Sequence, residues 1–122
     1  IVSEGCEIYG YVENSVISQG VFIGKGSIIK NSVIMTKVEI GDNVIIEDSI
    51  IAENTVIKNG CKIGIGTYAE SKYDKKVYNS HITVVGMDSV LEENCELGKN
   101  VVIGNDKVVP KNSIIESGGF FM

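Results

Sequence analysis

Aliphatic residues recur every five or six positions through the first half of the chain. A six-residue block that begins and ends with an aliphatic residue occupies positions 12–17 and returns at 29–34 and 46–51, each time after 17 residues. A second aliphatic row with the same period consists of Ile23, Ile40 and Ile57. A repeat this short cannot bury an apolar face alone, so it must stack on its neighbours. The pattern therefore predicts a solenoid of stacked coils.

Each repeat divides into three short sides, because its aliphatic residues lie 6, 6 and 5 positions apart. A side of this length suits a short strand whose alternate side chains point inward, and equivalent strands of successive coils then pair in parallel about 4.8 Å apart. The predicted inward positions in this half are Val12, Ile17, Ile23, Ile29, Ile34, Ile40, Ile46, Ile51, Ile57 and Ile63. Glycine and asparagine residues between them, including Gly26, Gly41 and Asn43, are predicted at corners with positive φ.

The second half of the chain repeats the same arrangement every six residues. Its predicted core positions are Val85, Leu91, Leu97, Ile103 and Val109, and Ile115 continues the row. This run resembles the hexapeptide-repeat proteins, and the resemblance implies a left-handed parallel β-helix, although ordinary parallel crossovers are right-handed. The predicted fold is all-β, with three short strands per coil and one extruded loop.

The repeat boundaries predict a single domain in four segments. Coils with the 17-residue period occupy 1–64, an extruded loop occupies 65–84, and coils with the hexapeptide period occupy 85–117. The apolar tail 118–122 is predicted either to cap the last coil or to fray, and the pattern leaves both open.

The extruded loop is the most distinctive chemical feature of the chain. It concentrates aromatic and basic side chains on an otherwise acidic protein: Lys72, Lys75, Lys76, Tyr73, Tyr78 and His81. Long insertions in a compact solenoid are often functional or form interfaces. Three hypotheses remain open, namely a subunit or domain contact, a site for a phosphorylated effector, and a solvated bridge between the two coil segments.

Composition narrows the classes of function. The chain of 122 residues has a net charge of −5 and contains no arginine, which argues against a nucleic-acid partner. No apolar run approaches the roughly 18 residues of a membrane span. Because Ile1 is not a start methionine and no signal-peptide pattern follows, we expect a piece of a longer chain.

Cysteine and histidine offer few catalytic possibilities. Cys6, Cys61 and Cys95 lack the paired spacing of a disulfide framework or a zinc site, so we expect packing roles, no metal site and a reduced, cytoplasmic setting. His81 is the only histidine and hence the only candidate general base. The corner glycines do not open a helix and are not expected to bind phosphate.

The first two repeats carry a more specific resemblance. Residues 2–17 and 20–35, together with the later Ile82-Thr-Val-Val-Gly86, resemble the C-terminal domain of bacterial glucose-1-phosphate adenylyltransferase, also called ADP-glucose pyrophosphorylase. The resemblance spans essentially the whole chain. It implies a parent enzyme that uses Mg²⁺ to join ATP and glucose 1-phosphate into ADP-glucose and pyrophosphate, in glycogen synthesis.

The resemblance also implies where the chemistry lies. The family's catalytic residues belong to an N-terminal nucleotidyltransferase domain with no counterpart here, so no residue of this chain is assigned to catalysis and the chain alone is expected to be inactive. Its implied partners are that domain and other subunits, in a homo-oligomer (a tetramer in the parent) or with a related regulatory subunit. The intact row from Val85 to Ile115 favours the catalytic type of subunit.

Two alternative functions predict different behaviour. A free-standing hexapeptide acyltransferase would form trimers and use His81 as general base towards a thioester. A purely structural solenoid, such as a subunit of a translation factor with the same two-domain plan, would show no dependence on sugar or effector.

Overall fold

Successive coils of the chain stack in register and form three parallel sheets. The computed structural model describes residues 1–73 and 80–122, and these contain eighteen short strands arranged in six coils. Each coil contributes one strand to each sheet, so β1–β3 form coil 1, β4–β6 form coil 2, and so on to β16–β18 in coil 6. The prediction of an all-β solenoid with three strands per coil is confirmed, whereas its left-handed sense stays a prediction.

The strands of each sheet are separated in sequence by two strands of the other sheets. Sheet I contains β1 (Glu7–Ile8), β4 (Phe22–Ile23), β7 (Glu39–Ile40), β10 (Val56–Ile57), β13 (Val90–Leu91) and β16 (Val108–Val109). Sheet II contains β2 (Tyr11–Glu13), β5 (Ile28–Lys30), β8 (Ile45–Glu47), β11 (Lys62–Ile63), β14 (Glu96–Leu97) and β17 (Ile114–Ile115). Sheet III contains β3 (Val16–Ile17), β6 (Val33–Ile34), β9 (Ser49–Ile51), β12 (Thr83–Val85), β15 (Val102–Ile103) and β18 (Phe120–Phe121). Among the described residues, no helix is long and apolar enough to cross a membrane.

The core is a set of inward aliphatic columns along the axis. Fourteen predicted inward positions are at most 1% exposed: Ile17, Ile23, Ile29, Ile34, Ile40, Ile46, Ile51, Ile57, Ile63, Val85, Leu91, Leu97, Ile103 and Val109. Val12, expected with them, is only half-buried, because β2 ends its sheet and has a neighbouring strand on one side only. Ile17 in the same coil stays buried because Val2 pairs alongside it as a short extra bridge.

A serine ladder explains why the early coils are one residue shorter than the later ones. Ser15, Ser32 and Ser49 are buried at the corner between sheets II and III, where the aliphatic spacing is five. The N–H of Ser32 donates to Ser15 Oγ at 3.0 Å, and the N–H of Ser49 donates to Ser32 Oγ at 3.1 Å. Each hydroxyl in turn donates to the carbonyl two residues earlier, at 2.7–2.8 Å. These bonds satisfy the buried polar groups of the tight corner.

Corner glycines serve two different purposes. Gly26 has a φ of 74° and stacks below Asn43 with a φ of 56°, as expected for left-handed corner residues. Gly41, expected to share this conformation, does not have a positive φ. It is glycine because a Cβ there would collide with the side-chain oxygen of Asn59, which already accepts the N–H of Asp42 at 2.8 Å. Close stacking of coils, rather than backbone conformation, thus fixes this position.

We predict that Ile40→Ala and Ile46→Ala each lower the free energy of unfolding by about 2–5 kcal/mol, because each leaves a cavity in a fully buried column. Denaturant unfolding followed by circular dichroism measures this change. Ile45→Ala is the matched control, since Ile45 lies next to Ile46 on β8 but points outward and is half-buried. Losses below about 1 kcal/mol at both core positions would contradict the inward assignment.

Candidate functional site

The chain between β11 and β12 is called the insert, and its described parts are a first limb of residues 64–73 and a second limb of residues 80–82. The two limbs together contact the last two coils. On the first limb, the N–H of Lys72 donates to the carbonyl of Gly118 at 2.7 Å. The ring of Tyr73 packs on Phe120 of β18, with ring centroids 5.0 Å apart. The described part of the insert is therefore fixed to coil 6, although it leaves the solenoid from coil 4.

Asn100 connects the two limbs of the insert. Its side chain lies at the corner between β14 and β15 and is 2% exposed. Its Nδ2 donates to the carbonyl of Ala69 on the first limb at 3.1 Å, and its Oδ1 accepts the N–H of Ser80 on the second limb at 3.4 Å. Both halves of this amide are used, so the limbs are held at one point.

Lys99 lies at the corner between β14 and β15 and reaches the point where the insert leaves coil 4. Its Nζ donates to the carbonyl of Gly64 at 2.8 Å and lies 2.9 Å from Oδ2 of Asp48. Asp48 belongs to coil 3 and Lys99 to coil 5, so this ion pair crosses the coil between them. Sequence reasoning missed Lys99 and Asn100, because a lysine and an asparagine between two strands look like any other polar corner.

The predicted insert residues fall into three groups. Lys72 is exposed and Tyr73 is 49% exposed, so both remain accessible on the first limb. His81 is exposed on the second limb, and its ring centroid lies 4.6 Å from that of Tyr68. Lys75, Lys76 and Tyr78 lie outside the described residues. The effector and interface roles of these six residues stay predictions.

The surroundings of His81 supply packing rather than an acid–base pair. A catalytic imidazole is ordinarily oriented by a hydrogen bond to a carboxylate or carbonyl. Within residues 1–73 and 80–122, His81 has a ring contact with Tyr68 and no hydrogen bond to a carboxylate. The described geometry thus gives no particular support to general-base catalysis.

Two of the three cysteines are stacked inside the solenoid. Cys61 and Cys95 precede the paired strands β11 and β14, and each thiol donates to a carbonyl, Glu92 for Cys61 and Pro110 for Cys95, at 3.1 Å. Burial raises the pKa of the Cys61 thiol to about 12, and burial also raises the pKa of the Cys95 thiol. Because the thiolate is the nucleophile, both residues are packing groups at neutral pH.

One outer face of the solenoid is apolar along its whole length. We call the outward side chains of sheet III the sheet III face, and its members are Val16, Val33, Ile50, Val84, Val102 and Phe120. Val16 and Phe120 are exposed, Val33, Ile50 and Val84 are half-buried, and Val102 is buried at 7% exposure. At about 4.8 Å per coil the stripe runs for roughly 24 Å.

The other two outer faces are mixed. Sheet I presents Glu7 and Glu39 beside its apolar residues, and sheet II presents Glu47, Lys62 and Glu96. An uncharged apolar stripe that reaches the surface at several coils is a candidate protein contact, and this one is exposed at Val16 and Phe120 and half-buried at Val33, Ile50 and Val84. The sheet III face is therefore the strongest candidate interaction surface of the chain.

Comparison with known families agrees with the stacked fold. The model of the family described as "GlmU-like, C-terminal hexapeptide" matches residues 1–85. This chain belongs to that family. The match of the GlmU-like hexapeptide model extends from coil 1 through the insert to β12.

Curated relatives of this GlmU-like hexapeptide chain are much longer than the chain itself. It is 77% identical over 122 residues to a glucose-1-phosphate adenylyltransferase of Fervidobacterium nodosum. The aligned region covers 100% of this chain and 29% of that relative. A protein of the same name from Thermosipho africanus is 66% identical over 112 residues, 92% of the chain and 27% of the relative. One from Thermotoga maritima is 55% identical over 123 residues, 98% of the chain and 29% of the relative. The chain thus spans less than a third of their length.

A solved structure supports the fold alone. A hexapeptide transferase family protein from Anaplasma phagocytophilum aligns with a TM-score of 0.56 at 14% sequence identity, over 98% of this chain and 73% of that one. At this identity the likeness extends to the stacked coils and not to activity.

We predict that iodoacetamide at pH 8 labels Cys6 in the native protein and leaves Cys61 and Cys95 unlabelled. The two buried thiols stay protonated because their pKa values are raised, whereas Cys6 is half-buried in coil 1. Peptide mass spectrometry measures the modification, and labelling after denaturation is the positive control for the buried pair. Native labelling of Cys61 as fast as Cys6 would contradict the packing role.

Proposed function

We propose that this chain is the C-terminal β-helix domain of a glucose-1-phosphate adenylyltransferase. The parent enzyme joins ATP and glucose 1-phosphate into ADP-glucose and pyrophosphate, for glycogen synthesis in the cytoplasm. The observation that carries the proposal is the 77% identity along the full chain to a relative of that name. The alignment at this identity covers every coil and the insert, so the likeness is not confined to one part of the stack.

In this proposal the chemistry lies in the N-terminal nucleotidyltransferase domain of the parent, which binds Mg²⁺ and both substrates. Among the described residues no group of three or more histidine, cysteine, aspartate or glutamate side chains lies close enough to hold a metal ion. The Lys99 ammonium group is paired with the Asp48 carboxylate. The chain alone is therefore proposed to be inactive and to serve binding and assembly.

We assign the sheet III face to contact with the nucleotidyltransferase domain of the same polypeptide. The relatives are more than three times as long as the chain, so a large domain needs a place to dock. The first residues run beside β3, where the N–H of Ile17 donates to the carbonyl of Ile1 at 2.8 Å. A polypeptide that precedes Ile1 would leave from the edge of sheet III, next to this apolar face.

Assembly and regulation complete the proposal. The subunit is of the catalytic type, and it forms a homo-oligomer, a tetramer in the parent, or pairs with a related subunit. Lys72 with Lys75 and Lys76 is proposed to attract a phosphorylated effector, with Tyr73, Tyr78 and His81 as contact residues on the insert. Acyl transfer by His81 is the second candidate, and no specific observation favours it.

The activity itself is tested on the full-length polypeptide. We expect pyrophosphate release from ATP and glucose 1-phosphate that requires Mg²⁺, and no release by residues 1–122 alone. Without an effector, His81→Ala is expected to leave the rate within about twofold, since His81 is proposed to contact the effector and is not assigned to the chemistry. A full-length protein that releases no pyrophosphate but transfers acyl groups from a thioester, with loss in His81→Ala, would replace the proposal with the acyltransferase.

The docking surface is tested by two lysine substitutions in coil 3. We expect Ile50→Lys to lower the activity of the full-length protein at least fivefold, because it places an unpaired charge in an apolar contact. Ile45→Lys is the matched control, since both isoleucines point outward and are half-buried but Ile45 lies on sheet II. It should change activity less than twofold.

Calorimetry and light scattering separate the possible outcomes. If the sheet III face binds the nucleotidyltransferase domain, Ile50→Lys should split one joint thermal transition into two at unchanged oligomer mass. A fall in oligomer mass without that split would instead make the face a contact between subunits. Equal losses of activity in Ile50→Lys and Ile45→Lys would contradict the assignment of the sheet III face as the docking surface.

A further inference from the structure

The insert makes contacts that an ordinary solenoid does not have. In a stack of repeats each coil touches only its immediate neighbours, so terminal coils are held from one side and open first. Here the first limb leaves coil 4 at Gly64 and reaches coil 6 at Gly118 and Phe120. On the way it passes coil 5, where Asn100 binds it.

We propose that the insert is a clasp, closed by Asn100, that fastens coils 5 and 6 to coil 4 so that the three coils open as one unit. This inference goes beyond the proposed enzymatic role and does not depend on it. It rests on four sets of contacts, at Asn100, at Gly118, at Lys99 and between Tyr73 and Phe120.

The Asn100 contact closes the clasp because it joins both limbs. Its side chain is buried and its φ is 56°, so the residue sits in a left-handed corner with its amide aimed at the insert. The amide donates to Ala69 and accepts from Ser80, which brings the outgoing and returning limbs together. Tyr68 and His81 pack ring against ring on the same two limbs.

The Gly118 contact brings the first limb against the backbone of coil 6. A Cβ at Gly118 would collide with the carbonyl oxygen of Glu70 and lie 3.2 Å from that of Ala69. The residue also has a φ of 78°. Only glycine combines this conformation with this approach, so the corner of coil 6 is shaped to receive the limb.

The Lys99 contact closes the gap that the insert leaves in coil 4. Lys99 reaches from coil 5 to the carbonyl of Gly64 in coil 4 and to Asp48 in coil 3. The side chain of Lys99 is 16% exposed, so the pair is partly shielded from water and salt. Without the insert, a coil 4 corner would stand between these two residues.

The clasp matters most at the open end of the solenoid. Within the described residues, β16, β17 and β18 end their sheets and have a strand on one side only. Such edges fray and offer unpaired backbone groups to other chains. The contact of Tyr73 with Phe120 on β18 holds this last coil from the side.

Hydrogen–deuterium exchange on the complete native polypeptide tests the clasp, with peptides read out by mass spectrometry. We expect Asn100→Gly to speed exchange about tenfold or more in both 64–73 and 114–122, because the buried Asn100 side chain loses its two part-buried hydrogen bonds to the insert. Glycine keeps the left-handed backbone free of strain, so the loss is confined to the side chain. Exchange in coils 2 and 3 should stay within about twofold of the native protein, since the coils below the clasp keep their own pairing.

Asn112→Gly is the matched control. Asn112 has a φ of 62° in coil 6 and is exposed, so the same substitution is made in the same backbone conformation away from the insert. Its effect should be limited to residues 110–116. Equal effects of the two substitutions on 64–73, or an effect of Asn100→Gly confined to 96–103, would overturn the clasp.

Tyr73→Ala keeps the test decisive if Asn100→Gly fails to fold. Tyr73 is half exposed and outside the stacked core, so its truncation spares the coils. Faster exchange at 118–122 is expected, by about threefold or more, because Phe120 loses its ring contact. Native exchange rates at 118–122 in Tyr73→Ala would overturn the proposal.

Discussion

The structure depends on in-register stacking of coils at a single spacing. Inward aliphatics of paired strands stack along the axis, and backbone N–H groups of one coil donate to carbonyls of a neighbouring coil, so the same translation provides both burial and hydrogen bonding. That spacing controls details far from the core. Gly41 lacks a side chain because Asn59 lies above it, and the serine ladder places each hydroxyl where the next coil supplies an N–H. A bulkier residue at such a point would have to separate two coils and would break both kinds of contact at once.

The stack could be predicted from the sequence because successive coils repeat the same spacing of aliphatic residues. Aliphatic residues at fixed spacing pointed to three strands per coil and to their inward side chains. The positions that differ are those where the translation stops or is interrupted. Val12 is half-buried because β2 ends its sheet within the described residues. Gly41 lacks the positive φ of Gly26 and Gly60, and it is glycine because Asn59 approaches it closely. Neither effect is visible in the sequence spacing.

The position of the insert along the chain could be predicted from the sequence, but its contacts with the coils could not. Loss of the six-residue register marked where the chain leaves the solenoid, whereas the partners of the insert are set by the three-dimensional stack. Asn100 is 31 residues from Ala69 and Lys99 is 51 residues from Asp48, and nothing in the local composition singles out either pair. Lys72, Tyr73 and His81, which drew attention to the insert, are exposed. The residues that fasten it are ordinary corner residues of coils 5 and 6.

The sheet III face and the insert lie side by side, but they are built from different kinds of contact. The face needs flat, uncharged side chains, which strands supply at every coil through the outward position of a short β-segment. The insert is held by polar contacts at the corners of the coils. Corner backbone groups and asparagine side chains can make these hydrogen bonds because they do not take part in sheet pairing. Phe120 belongs to both, since it is the last residue of the apolar stripe and the ring on which Tyr73 packs. A partner that covered the stripe as far as coil 6 would therefore reach the side chain on which Tyr73 of the insert packs.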